Sequence, residues 1–144
     1  MTRLARSAAA TAALFVPLAV LDRRMQRAGG PGIIGFEVAG TPERARAITD
    51  AWGEEGRAAA RASLVLDFPF LIAYTGVNVA LAPGRALAAV AVVAGACDAV
   101  ENAALLGVLA GRDGRLPAVA RAFALAKFAL LGIGWGATAR RTVR

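Results

Sequence analysis

Long apolar runs alternate with short polar ones along this chain, and the spacing predicts four membrane-crossing helices over about residues 5–21, 60–82, 86–110 and 117–137. A hydrocarbon core of ~30 Å takes about 20 helical residues at ~1.5 Å each, a length the last three runs reach and the first approaches. Pro83 and Gly84 make a tight hairpin between the second and third runs. Gly111, Arg112, Asp113, Gly114 and Arg115 form a polar turn before Pro117 opens the fourth, which ends near Trp135, an aromatic suited to the membrane surface. The expected fold class is all-α: an integral membrane bundle of four transmembrane helices forming a single domain over residues 1–144.

Two segments need closer reading. The start, with Arg3 and Arg6 before an Ala-rich run ending LFVPLAVL, has the look of a secretory signal, but no small-residue cleavage site follows. An uncleaved first helix is expected, with Pro17 tolerated because neighbouring helices re-satisfy the freed carbonyl. Residues 22–59 form the first loop. Its stretch Gly29–Gly40 (GGPGIIGFEVAG) is too glycine-rich for a stable helix and too short to span, and is expected to fold back on the bundle. Thr41, Pro42 and Glu43 then supply an N-cap, a proline in the first turn and a carboxylate facing the helix dipole. The helix they open carries Ala45, Ile48 and Trp52 on one face, which predicts a short helix lying in the interface, with Trp52 at headgroup depth and Gly53 as its breaker.

Composition reinforces the membrane reading. Hydrophobic residues make up 58% of the 144 and the mean hydropathy is +0.56, well above a soluble domain. The net charge of +7 does not imply nucleic acid, because the arginines flank apolar runs and are not interleaved with exposed aromatics. They read as anchors on membrane lipid headgroups, as do Arg140, Arg141 and Arg144 of the tail. With no histidine and one cysteine, Cys97, the usual zinc, haem and disulfide chemistry has no ligands, so no metal or cofactor is expected. A Gly107/Gly111 pair has the spacing of a helix-packing motif.

Ionisable residues inside the apolar runs carry the candidate chemistry. Helical periodicity aligns Ser63, Asp67, Leu71, Tyr74 and Asn78 on one face of the second span, and Asp98, Glu101, Asn102 and Leu105 on one face of the third. Lys127 shares a face of the fourth span with Phe123, Leu131 and Gly134. Counting from the turns makes the register level: Asp67 is 16 residues before Pro83 and Glu101 is 17 after Gly84, while Glu101 and Lys127 are each 13 from Gly114. Asp67, Asp98, Glu101 and Lys127 are therefore expected in one layer, toward the first loop, whose GGPGIIGFEVAG stretch would act as a lid. Three acids against one lysine leave negative charge that a low-dielectric interior does not tolerate. Protonation, a bound cation, or arginines such as Arg57, Arg61 or Arg121 reaching inward would neutralise it.

The segments FEVAGTPERARAITDAWG, SLVLDFPFLIAY and CDAVENAALL resemble uncharacterised small four-span bacterial membrane proteins, over about residues 33 to 131. The resemblance implies the four-span topology, and no activity. Residence in a cell's inner (cytoplasmic) membrane is expected.

Several functions are consistent with such a layer. One is an enzyme using Asp67, Asp98 and Glu101 for acid/base chemistry, of isomerase or cyclase type, on a lipid or isoprenoid-like substrate held by Tyr74, Asn78, Asn102, Lys127 and Trp52. Another is a small proton- or cation-coupled transporter, acting as a homo-oligomer. A third is a non-catalytic accessory subunit. The same residues would serve packing alone if Lys127 paired with Glu101 or Asp98 and the amides closed a register-fixing network. The ligand expected is a hydrophobic or cationic small molecule.

Overall fold

In the computed structural model the described residues fold into five helices. Residues 2–112 and 114–142 are described; Asp113 of the third turn and Arg144 of the basic tail lie outside them. The helices are α1 (Arg3–Arg27), α2 (Ile33–Glu37), α3 (Pro42–Leu81), α4 (Arg85–Leu109) and α5 (Leu116–Thr142). All except α2 are long and apolar enough to cross a membrane.

The caps explain the boundaries. α1 starts earlier than its apolar run because the Thr2 side chain accepts the Ala5 N–H, and it continues past Leu21 with Arg24 and Arg27 in its last turn, where cations suit the dipole. Thr41, Pro42 and Glu43 open α3 as the sequence predicts, the Thr41 hydroxyl accepting the Arg44 N–H. Gly53 breaks α3 with φ 60° and ψ −159°, separating the first-loop helix from the spanning part. Arg57 bridges that kink by donating to the Thr49 carbonyl.

Three expectations are corrected. The glycine-rich stretch does contain a helix, α2, because the Asp22 carboxylate accepts the Ile33 N–H at 2.7 Å and stands in for a missing intrahelical partner. Gly32 permits this: a Cβ there would collide with Asp22. Trp52 does not face outward toward headgroups but is 1% exposed, its ring edge-on to Phe36 at a centroid distance of 5.0 Å and its N–H donated to the Pro31 carbonyl at 2.7 Å. Its helix turns the face of Ala45 and Trp52 toward protein instead of lipid. Finally, Gly107 and Gly111 do not form a packing motif. Gly111 ends α4 with φ 81°, and Gly107 alone makes a close approach, to Leu116.

The helices pack in chain order, α1 along α3, α3 along α4 and α4 along α5, with α2 touching both α3 and α5. α4 is the most enclosed, since Ala91, Ala94, Gly95, Ala104 and Gly107 let its neighbours come close. α1 is the least: Met25 is its one buried residue, while Phe15, Val16 and Val20 lie open. With no protein on that face, lipid is the solvent such a helix suits. The densest packing, around Met25, Phe36, Trp52, Leu64 and Leu105, lies at the first-loop end. α1 and α5 have no comparable contact, which leaves the bundle open on one side.

Candidate functional site

Lys127 organises the charged layer. Its Nζ lies 2.8 Å from Glu101 Oε2, 3.0 Å from Asp98 Oδ1 and 3.7 Å from Glu37 Oε2. The Phe128 ring sits 4.9 Å from the same ammonium. Asp98 is held at both oxygens, since Tyr74 donates its hydroxyl to Oδ2 at 2.6 Å. Asn102 donates to Asp67 Oδ2 at 2.6 Å, joining α4 to α3. The level register counted from the turns is thus what brings the four helix-borne charges together, and each does lie on the face its spacing assigns.

The second polar chain runs away from the layer. Asn78 donates to the Tyr74 carbonyl one turn back and accepts the Trp135 indole N–H at 2.8 Å, tying α3 to α5 across the open side. Trp52 stands apart, in the first-loop core, where its contacts fix the backbone of Gly30 and Pro31.

The residue that the sequence reading missed is Glu37. It is the last residue of α2 and is 8% exposed. The folded-back loop delivers it to Lys127, the ammonium that Glu101 also pairs with. Burial, the largest influence on it, pushes the Glu37 carboxyl above the usual carboxylate range against the pull of Lys127. The one signal in the sequence was an acid between Phe36 and Val38 in an otherwise apolar loop. With Glu37, three carboxylates face the ammonium and a fourth, Asp67, is held by Asn102, so the formal excess of the layer is three negative charges rather than two. The arginines offered as compensation do other work: Arg57 serves the kink, Arg61 donates to the Leu109 carbonyl at the end of α4, and Arg121 lies along the backbone of Gly40.

A cavity of about 810 Å³ reaches this layer. Glu37, Asp67, Asp98, Tyr74, Asn102 and Lys127 line its polar part, whereas Glu101 is wholly enclosed behind Lys127. Phe15 and Leu18 of α1 and Phe128, Leu131 and Trp135 of α5 form its apolar walls, so it occupies the gap between the two helices that do not pack together. A second cavity of about 460 Å³ adjoins it, sharing Tyr74, Asn78 and Trp135 and extending to Ala82 at the far turn. Carboxylates at the inner end of an apolar recess can bind positive charge or exchange protons with a ligand that enters from the lipid side.

No family model, curated protein or solved structure matches the chain.

Proposed function

We propose that the larger cavity is the active site of a membrane-embedded enzyme that uses carboxylates for acid/base chemistry on a lipid or isoprenoid-like substrate, in an isomerase or cyclase type of reaction. The observation that supports this is the placement of two differently held aspartates on one apolar recess. Asp98 has both oxygens engaged, while among the described residues Asp67 accepts at Oδ2 only and keeps a lone-pair oxygen for proton exchange. In such a reaction one carboxyl group gives a proton to an alkene carbon, leaving a cation on its neighbour. The second carboxylate then removes a proton from an adjacent carbon, and the double bond re-forms one position away. Lys127 and Tyr74 keep the Asp98 carboxylate oriented, and the apolar walls exclude water that would trap the cation. By the sequence resemblance, we place this activity in the inner (cytoplasmic) membrane of a bacterium.

Incubating the protein with bacterial lipid extract in D₂O tests the reading, because each turnover leaves a solvent deuteron on carbon. A lipid that gains about 1 Da with wild type and not with Asp67→Asn or Asp98→Asn is the expected result. Absence of any carbon-bound deuterium in the wild-type reaction would count against it.

A second reading, a proton- or cation-coupled transporter, draws on the adjoining cavities, which together run from Arg23 near the first loop to Ala82 at the opposite turn. It requires a pH-dependent, substrate-evoked current in proteoliposomes that Asp98→Asn abolishes.

A further inference from the structure

We infer that the cavity selects amphiphiles whose polar end is positively charged, a protonated long-chain amine being the simplest, with the charge seated among Glu37, Asp67 and Asp98. This rests on the reading of the cavity as a ligand site and narrows what that ligand is.

The charge balance points there first. The chain has 17 basic residues and 10 acidic ones, yet among the described residues the layer holds four acids and one lysine, three of the acids on the lysine itself and Asp67 on Asn102. Arg57, Arg61 and Arg121 are engaged elsewhere, and unpaired charge in a low-dielectric interior is unfavourable by several kcal/mol.

Glu37 supplies a second, independent observation. It is nine-tenths buried, lines the cavity, and its Oε2 accepts no hydrogen bond, with Lys127 no nearer than 3.7 Å. A buried acceptor without a donor, on a residue that lines a recess, is one that a ligand's donor can satisfy. Asp67 presents a second free oxygen to the same space.

The shape of the site argues for an organic cation over a bare metal ion. No three acidic or sulfur ligands among the described residues converge on a metal-sized point; the carboxylates fan around Lys127 instead. The remaining volume is walled by Phe15, Leu18, Phe128 and Leu131, which accept an alkyl chain, and the gap between α1 and α5 lets that chain trail toward lipid. Phe70 and Tyr74, with ring centroids 5.5 Å apart, offer aromatic faces beside the polar end, a favourable setting for an ammonium. The same field would stabilise the cation formed when an alkene is protonated, which links this selectivity to acid/base turnover.

Three single-chain probes separate charge from hydrophobicity: dodecylamine, dodecanol and dodecanoate, each titrated into protein in neutral maltoside detergent and read by native mass spectrometry. One dodecylamine per chain is expected, with dodecanol at least about tenfold weaker and dodecanoate weaker still. Glu37→Gln and Asp67→Asn should each weaken dodecylamine about tenfold and leave dodecanol unchanged. Circular dichroism and melting of each variant confirm that it is folded. Dodecanol binding as tightly as dodecylamine, or variants that treat the probes as wild type does, would overturn the charge selectivity while leaving an apolar acid/base site standing. Wild type that binds none of the three would overturn the cavity as a ligand site as well.

Discussion

Glu101 and Asp67 are carboxylates at one level of the same bundle, but they face opposite circumstances. On the closed side, between α4 and α5, Glu101 is 0% exposed and pairs with Lys127 at 2.8 Å. On the open side, Asp67 faces the gap left by α1 and α5, with one oxygen held by Asn102. The difference separates a charge that the fold depends on from one it merely positions. Partner loss is expensive for an enclosed ion pair and mild for a group that solvent or ligand can reach.

The largest effect should come from the closed side. Lys127→Met leaves Glu101, Asp98 and Glu37 without their cation, and a loss of about 3–5 kcal/mol is expected, visible as a collapse of folded yield and melting temperature in detergent. Adding Glu101→Gln to that variant removes one of the stranded charges and should recover part of the loss. Equal stability of Lys127→Met and wild type would show that the closed side is not organised by this pair.

The first-loop core should respond next. Trp52→Phe keeps the ring against Phe36 but removes the donor to the Pro31 carbonyl, a buried bond whose loss costs about 1–3 kcal/mol. Faster proteolysis between Gly29 and Gly40 would accompany it, since that bond fixes the loop that carries Glu37.

Asp67→Asn should have only a small effect on folding. A change in stability below about 1 kcal/mol is expected, because the amide keeps the shape and can still meet Asn102, while turnover or cation binding is lost. A large loss of stability would place Asp67 with Glu101.

The subtlest effect is a pH dependence. Burial raises the Glu37 carboxyl above its ordinary value of 4.5, with Lys127 pulling it down and Glu101 and Asp98 also facing it. A raised acid favours the folded state fully below about pH 4.5 and loses that contribution as pH rises through its folded value. Glu37→Gln should therefore melt higher than wild type at pH 8, with the gap closing toward pH 4. A gap that widens on acidification would reverse the assignment.

The four spans and the level register were legible because they depend on periodicity and on counting from Pro83, Gly84 and Gly114, all local properties of the chain. The contacts of Lys127 with Glu101 and of Asn102 with Asp67 follow from that counting. Glu37 was not legible, since its position depends on two long-range contacts, Asp22 with Ile33 and Trp52 with Pro31. Trp52 was misplaced for a related reason: an amphipathic pattern identifies an apolar face without saying whether lipid or protein covers it. The gap between α1 and α5 was hidden by the same ambiguity, because lipid-facing and helix-facing surfaces in a membrane are about equally apolar.

Native mass spectrometry of protein purified from membranes in mild detergent shows whether a ligand reaches the layer from the open side. Wild type should carry a bound lipid or small molecule in fixed stoichiometry that Asp67→Asn lacks although it is folded. Identical spectra for the two, with no retained species or with the same lipids in the same amounts, would show that no ligand is held at the layer from that side.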